Sequence, residues 1–437
     1  MPPIFLFQTK MYNDFNKSIK TEKIVIPIGE NSDEICLNCE KDNQKKKELE
    51  STFNNLETKI KFNNEPKLLK DGKICTISDR IVQIYDDRKY NILYEFKFEG
   101  EIISSIQLDN GDLIFVERTE LDERFKSSYF DDYYFYQLLI YRLKGNKYCL
   151  LQTIVEGMTG YRLQNSYSGC MSYPKKYAVN FIKEISGNRF ICVTNYGFKI
   201  YSLNNKNEYS LSLLTTHVEG IDIIHEVNEN TFIFCTIVHC GASLGGPAHD
   251  ILKIEIIKLN KITNYDCYIQ NVKMEMNRNH VNSDDIENII KEIKPLNLSL
   301  SCSCQEIYKY RTYYGYFSDS IIIKNKYFII MMDKNMLIFD LENGKQLIKY
   351  EITLSSSSFY RINLKKWNTI EDNQFFIHNS GNIILFELND DEKENVKLEI
   401  KVVSYFPGVD KIERIEENSN KFYFIDTENC VRLYKKN

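Results

Sequence analysis

The sequence predicts an all-β protein whose strands belong to a repeated module. Short runs of alternating apolar and polar residues recur along its 437 residues, separated by turns rich in Asn, Asp, Gly and Lys. The composition agrees, because the chain contains 30 tyrosines and 26 phenylalanines but only three alanines, at positions 178, 242 and 248. Aromatic and β-branched residues favour strands over helices. With 43% hydrophobic residues, the chain is expected to fold around a large core.

The clearest copy of the module begins at Pro66. Strand patterns cover residues 66–78, with a turn at Asp71-Gly72, and then residues 80–86 and 90–98, before "IISSIQL" opens the next copy. Further copies follow at about residues 102–155, 178–216, 221–274, 317–354, 359–405 and 409–434. Seven modules of four short antiparallel strands predict a seven-bladed β-propeller, with residues 1–437 as a single domain.

The last module contains only three strands, which predicts that an N-terminal strand completes it and closes the ring. We expect residues 1–30 to supply this closing strand, through the alternating segment Glu22 to Ile28. The segment Glu57 to Asn63 would then form the inner strand of the module that begins at Pro66. Closure of this kind removes sheet edges that could pair with other chains.

The third strand of several modules ends in an aliphatic residue followed by an aromatic one. Examples are Ile84-Tyr85-Asp86, Ile140-Tyr141-Arg142, Ile200-Tyr201-Ser202 and Ile338-Phe339-Asp340. In this pattern the chain resembles the WD40-like propeller family, as a divergent relative. The Trp-Asp and Gly-His motifs of that family are missing from the sequence, and the single tryptophan, Trp367, lies elsewhere. The resemblance implies a non-catalytic scaffold or adaptor that binds other proteins through the loops of one face.

Segments that break the repeat are the places where a specific function is expected. Residues 31–56 are charged and are interpreted as a linker or helix. Three inserts interrupt residues 57–437: an acidic, aromatic-rich one at 120–136, a Gly-rich loop at 239–250, and a third at 273–316. The third contains a predicted short helix, Ser283 to Ile293, with Ser283-Asp284-Asp285 at its N-terminus.

The Gly-rich loop contains a G-x-S-x-G match at Gly241–Gly245, which makes Ser243 a candidate nucleophile with His239 and His249 nearby. A nucleophile elbow requires a strand before the serine and a helix after it. Here Pro247 and the strand-like "ILKIEIIKL" follow, so a loop between two strands is the better interpretation. A hydrolase that uses this loop or the mouth of the propeller channel remains the alternative to the scaffold.

Two cysteine pairs are candidate zinc ligands. Cys36-x-x-Cys39 and Cys302-x-Cys304 together offer four thiolates, and both pairs fall in segments predicted as inserts. A C-x-C pair is a poorer half-site than C-x-x-C, and the pairs are distant in sequence. We therefore expect reduced thiols and no cofactor.

The acidic insert provides candidate contacts for a partner protein, because aromatic side chains are enriched at protein interfaces. These candidates are Tyr129, Phe130, Tyr133, Tyr134 and Tyr136, beside Asp131 and Asp132. The alternative is that half of these rings pack back on their own blade.

Charge and targeting signals narrow the class of partner and the compartment. A net charge of −5 argues against a nucleic-acid partner, although "YKYRTYYGY" (308–316) mixes basic and aromatic residues. The apolar run Ile4–Phe7 is too short for a signal peptide, and no segment approaches a membrane span. We therefore expect a cytoplasmic or nuclear protein, either a monomer or part of a larger complex.

Overall fold

The computed structural model describes most of the chain between Thr21 and Lys435. The described residues are 21–26, 57–86, 89–120, 130–164, 171–175, 179–194, 197–215, 221–240, 249–278, 287, 290–291, 293–296, 298–312, 317–332, 335–354, 363–367, 373–379, 382–390, 396–405, 412–418, 421–426 and 430–435. Residues 31–56, interpreted from the sequence as a charged linker or helix, lie outside them. Among the described residues, no helix is long and apolar enough to cross a membrane.

The chain divides into two compact units. Residues 69–311 belong to the first unit, and residues 12–68 together with 312–437 belong to the second. The N-terminal strands of the second unit are β1 (Thr21–Ile26), β2 (Glu57–Lys61) and β3 (Pro66–Leu68).

Among its described residues, the first unit contains the next sixteen strands and a helix of fourteen residues. They are β4 (Ile74–Ser78), β5 (Ile81–Tyr85), β6 (Ile92–Lys97), β7 (Glu101–Gln107), β8 (Leu113–Glu120), β9 (Phe130–Lys144), β10 (Lys147–Gln164), β11 (Met171–Lys175), β12 (Val179–Ile185), β13 (Arg189–Thr194), β14 (Gly197–Leu203), β15 (Tyr209–Leu214), β16 (Ile223–Asn228), β17 (Thr231–Cys240), β18 (His249–Lys261), α1 (Tyr265–Arg278) and β19 (Leu300–Thr312). A 3-10 turn at Lys294–Leu296 precedes β19.

The second unit continues with eleven strands. They are β20 (Phe317–Ile323), β21 (Tyr327–Met332), β22 (Asn335–Asp340), β23 (Gln346–Leu354), β24 (Asn363–Trp367), β25 (Gln374–Asn379), β26 (Asn382–Asp390), β27 (Val396–Tyr405), β28 (Ile412–Asn418), β29 (Lys421–Asp426) and β30 (Cys430–Lys435).

The strands of the first unit form sheets in which neighbours in the chain are neighbours in space. Strands β4, β5 and β6 lie side by side, and β7 to β11 form a five-stranded sheet. Strands β12 to β15 and β16 to β19 form two four-stranded sheets. The prediction of an all-β fold built from short antiparallel sheets of about four strands is therefore confirmed.

The second unit repeats this plan and corrects the predicted role of two N-terminal strands. Strands β24 to β27 form a four-stranded sheet, and β2 completes the sheet of β28, β29 and β30 by pairing with β30. Strand β1 instead lies parallel to β23, on the edge of the sheet of β20 to β23. The prediction that Glu22–Ile28 completes the last module is therefore wrong, and Glu57–Lys61 does so. Periodicity predicts that both segments are strands but does not specify their partners.

The inner strands are buried on both faces because sheets pack against each other within each unit. Every residue of β13 (RFICVT) and of β21 (YFIIMM) is buried. In the first unit, a core cluster contains Ile114 of β8 and Phe190 of β13, and a second contains Ile191 of β13 and Phe232 of β17. The second unit has an equivalent cluster between β21 and β25. Continuous apolar strands, rather than alternating ones, are what burial on two faces requires.

Helix α1 was not predicted from the sequence, and it begins before the predicted third insert and ends within it. Helix α1 begins after Asn264, whose side-chain oxygen accepts a hydrogen bond from the Cys267 amide at 3.0 Å, as an N-cap does. Ile269 is buried with Ile290, Ile293 and Leu298 in a small cluster, against which Leu211 and Leu214 of β15 pack. Of the predicted helix Ser283–Ile293, the described residues 287, 290, 291 and 293 are helical.

The boundaries of two inserts also differ from the prediction. Strand β19 lies within residues 273–316, so the later part of that segment is the fourth strand of a sheet rather than an insert. The sequence pattern predicts no strand between residues 156 and 177, yet residues 157–164 form the long end of β10 and residues 171–175 form β11.

Candidate interaction surface

The turns between the first and second strands of three adjacent sheets lie side by side in the first unit. The Asp109 amide, in the β7–β8 turn, donates to the Glu184 carboxylate of β12 at 2.6 Å. The Ser186 amide, in the β12–β13 turn, donates to the Glu226 carboxylate of β16 at 2.9 Å. Because each turn is tied to the end of the next sheet's first strand, the three sheets share one orientation.

It follows that the connections between second and third strands lie together on the opposite face of the first unit, here called the hairpin face. The middle sheet has a short connection there, from Thr194 to Gly197. The sheets on either side have long ones, from Glu120 to Phe130 and from Cys240 to His249. Two of the three predicted inserts therefore belong to the hairpin face. The segment that contains α1, here called the α1 insert, joins the third strand of a sheet to the fourth and belongs to the opposite face.

The first long connection is part of a three-stranded extension, here called the aromatic arm, formed by residues 130–135, 157–164 and 171–175. Strand β9 continues four residues past Tyr134, which lies opposite Glu120, the last residue of β8. Four residues of β-strand add about 13 Å. Strand β10 pairs with β9 as far as Arg162 and with β11 from Gly160 to Gln164.

The candidate partner contacts Phe130 and Tyr133 lie on β9 within the arm, whereas Tyr129 lies outside the described residues. Tyr136 is buried in the core cluster between the β7–β11 and β12–β15 sheets, and Tyr134 packs against the same cluster. The Arg118 guanidinium lies 4.7 Å from the centre of the Tyr134 ring. Tyr134 and Tyr136 are thus held at the base of the arm, as the alternative interpretation expected for half of the rings.

A buried ion pair anchors the base of the arm to the neighbouring sheet. Glu156, the residue before the arm on β10, has a side chain with no solvent exposure and forms an ion pair with Lys199 of β14. The Tyr201 hydroxyl donates to the same carboxylate. Burial, together with the Glu156 charge, raises the pKa of Tyr201 well above its ordinary value, so the phenol remains a donor. This anchor was not predicted, because Glu156 and Lys199 are 43 residues apart and belong to no local motif.

The second long connection joins two antiparallel strands. β17 extends five residues past Cys235, where its pairing with β16 ends, and it remains paired with β18 as far as Cys240 opposite His249. His239 lies opposite Asp250, and Ser243 lies outside the described residues. From His249 onwards the described residues form strand β18, whereas a nucleophile elbow requires a helix after the serine.

The described cysteine pair lies in a strand and not, as predicted, in an insert. Cys302 and Cys304 are on β19, and the Cys304 thiol donates to Glu255 at 3.3 Å. Burial raises the pKa of Cys302 to about 12, and burial with the Glu255 charge raises the pKa of Cys304. Zinc binds thiolates, which these environments disfavour. Cys36 and Cys39 lie outside the described residues.

A polar network joins two sheets on the face opposite the hairpin face. The Asp112 carboxylate, at the end of the β7–β8 turn, accepts hydrogen bonds from Arg142 Nε at 2.8 Å and from the Tyr209 hydroxyl at 2.8 Å. Asn110 Nδ2 donates to the same carboxylate at 3.0 Å. Asp112 is buried, so the network fixes the β7–β8 turn against β15. The Asn110-Gly111-Asp112 turn was visible in the sequence, but its partners were not.

No protein-family model matches the sequence, and no curated protein matches it. Among solved structures, the chain is similar to a chain in the crystal structure of a mitotic checkpoint complex, with a TM-score of 0.47 and 7% identity, covering 87% of this chain and 94% of that one. It is also similar to Hsv2 from Kluyvelomyces marxianus, with a TM-score of 0.41, 11% identity and coverage of 76% and 81%. A third similar structure is the Cps50 (Swd1) β-propeller domain from Myceliophteria thermophila, with a TM-score of 0.42, 8% identity and coverage of 87% and 100%.

Proposed function

We propose that this chain is a non-catalytic scaffold or adaptor, and that it binds a partner protein through the hairpin face of its first unit. The observation that supports this most is that both long hairpins extend from that face, on either side of a sheet whose own connection is short. The extended ends of these hairpins are not required to complete the sheets, because the strands of each sheet pair with one another without them. Binding residues are commonly placed on such extensions of a rigid scaffold.

The aromatic arm is the element of this face best suited to a protein partner. Its strands carry Phe130, Tyr133, Tyr161 and Tyr173, together with Met158 and Met171. Aromatic residues and methionine are enriched in interface cores, where large rings bury area at low entropic cost. The anchor at Glu156 and the packing of Tyr134 and Tyr136 hold the base of the arm against the neighbouring sheet.

We propose further that the sheets of the two units are the seven blades of one closed propeller, with β2 as the strand that completes the last blade. The pairing of Glu57–Lys61 with β30 supports this, because it joins the beginning of the repeat region to its end. The protein would act in the cytoplasm or nucleus, as a monomer or within a larger complex. In support of a reducing compartment, the described Cys192, Cys235 and Cys304 are buried thiols rather than disulfides.

The test compares two double variants of the full-length protein by quantitative co-purification. Phe130→Ser/Tyr133→Ser alters the aromatic arm. The matched control, Met274→Ser/Leu296→Ser, alters two exposed apolar residues of the α1 insert, on the opposite face. Partners retained by wild type and control should be lost with the arm variant. For a purified partner, removing two central aromatic contacts should raise Kd by roughly 30-fold or more. Equal recovery of every partner with all three proteins would contradict the proposal.

A further inference from the structure

The outer edge of β23 carries a strand that the sheet does not need. Strands β20 to β23 form a complete antiparallel four-stranded sheet of the second unit. Strand β1 is added to it in parallel, with six residues in register from Thr21 opposite Lys349 to Ile26 opposite Leu354. Thirty residues, 27–56, then separate β1 from β2 in sequence. The edge of β23 can therefore accept an extended segment that is not a consecutive strand of the repeat.

The part of β23 that β1 covers extends beyond the sheet's own pairing. Strand β22 pairs with β23 only as far as Glu351, whereas β1 pairs with β23 from Lys349 to Leu354. The last three residues of β23, Ile352 to Leu354, are thus presented to β1 beyond the end of the β22 pairing. An exposed run of backbone donors and acceptors is what a strand-addition site offers to an extended peptide.

The register defines the chemistry that this edge prefers. Tyr350 and Ile352, each 1% exposed, belong to the core cluster of the sheet, and they lie opposite Glu22 and Ile24. Glu351 is half-buried, and the residue at its register position on β1 is Lys23. Opposite charges at facing positions of neighbouring strands attract each other. A matching segment is therefore extended and rich in β-branched residues, and it carries a basic residue at the position of Lys23.

From these observations we propose that the outer edge of β23 is a docking site for an extended segment of a partner protein, added in parallel, and that residues 21–26 are a resident occupant which such a segment displaces. The partner segment spans about six residues, carries aliphatic residues of the Ile-Val-Ile type, and has a basic residue facing Glu351. Main-chain hydrogen bonds provide affinity, and the Glu351 position provides selectivity. This site is in the second unit and does not depend on the hairpin face or on the aromatic arm.

The test uses a fluorescent peptide with the sequence of residues 19–28 and the full-length protein. Consecutive amides of a strand point to opposite sides, so one of the amides of residues 24 and 25 faces β23. The variant Ile24→Pro/Val25→Pro removes both amides and is therefore designed to release the resident strand. The control Asn43→Pro/Gln44→Pro places the same change outside β1. We expect the released variant to bind the peptide at least tenfold more tightly than wild type, with the control equal to wild type.

Two further measurements test the proposal independently of the stability of the proline variant. In the wild-type protein, excess unlabelled peptide should increase hydrogen exchange in residues 21–26 and leave residues 349–354 protected. Glu351→Lys should reverse peptide preference, so that the peptide with Lys23→Glu binds this variant more tightly than the original peptide does. The proposal is overturned if peptide changes no exchange in residues 21–26, or if Glu351→Lys leaves the preference unchanged. It is also overturned if the released variant is folded and binds no more tightly than wild type.

Discussion

Replacement of Asp112 by alanine should destabilise the first unit strongly, because its carboxylate is a buried acceptor shared by three side chains. The Arg142 guanidinium makes two contacts with it, at 2.8 and 2.5 Å, and Tyr209 and Asn110 make one each. The Asp112 side chain is 1% exposed and that of Arg142 is 18% exposed. Removing one partner of a buried ion pair costs about 3–5 kcal/mol. Because Arg142 retains some contact with water, the expected loss is near the lower value.

This loss can be measured as a change in thermal stability by circular dichroism. For a cooperative unit of this size, 1 kcal/mol corresponds to about 2–4 °C, so Asp112→Ala should lower Tm by about 6–12 °C. The matched control is Asp109→Ala, in the same turn. Asp109 forms an exposed ion pair with Lys70 at 2.6 Å, and such pairs contribute about 0–1 kcal/mol. The Asp109 amide that donates to Glu184 is unchanged in this control.

A double-mutant cycle of Asp112→Ala with Arg142→Met isolates the pair itself. If the carboxylate and the guanidinium stabilise each other, the double variant should lose less free energy of unfolding than the two single variants lose together. The difference should exceed about 1 kcal/mol. Strictly additive effects, or an Asp112→Ala variant no less stable than Asp109→Ala, would refute the claim that this network joins the two sheets.

Three further predictions concern other parts of the chain. Ile60→Pro should weaken the pairing of β2 with β30 and so increase hydrogen exchange in β30, and unchanged exchange would contradict the assigned partner. Burial acts to raise the pKa of Asp71, but hydrogen bonds from Lys73 and Gln107 outweigh it and hold the pKa below its ordinary value. The stabilisation is present while the carboxylate is ionised, so the Tm difference between wild type and Asp71→Asn should shrink as pH falls below about 4, and a constant difference would refute this. Cys267 is exposed whereas burial raises the pKa of Cys235, so a thiol reagent should modify Cys267 first and Cys235 only on unfolding; the order is checked by mass spectrometry.

The strands of the repeats could be predicted from the sequence because each has a strong local signal. The turn at Gly111, with φ of 85°, needs the left-handed conformation that glycine adopts most readily, and the apolar runs on either side are the observed strands β7 and β8. The partners of β1 and β2 could not be predicted in this way. Strand pairing over several hundred residues depends on tertiary packing, and local periodicity does not report it.

The elements that were not predicted from the sequence have a local composition typical of a different structure. Gly157, Gly160 and Pro174 are turn-forming residues, yet they lie within β10 and β11, the arm where register shifts occur. The apolar positions of helix α1 include two tyrosines, one isoleucine and one valine, residue types that favour strands. Its helical signal was the spacing of Tyr265, Tyr268, Ile269 and Val272, the residues that pack into its small cluster.

The hydrogen bonds between turns and neighbouring sheets place an unequal constraint on sequence change. In the contacts of Asp109 with Glu184 and of Ser186 with Glu226, a main-chain amide donates to a side-chain carboxylate. The Ser186 hydroxyl also donates to Glu226. Any residue except proline can supply the main-chain donor, so the two donor positions, 109 and 186, can change more freely than the two carboxylates. The sequence can therefore change at these donor positions while the neighbouring sheets stay aligned.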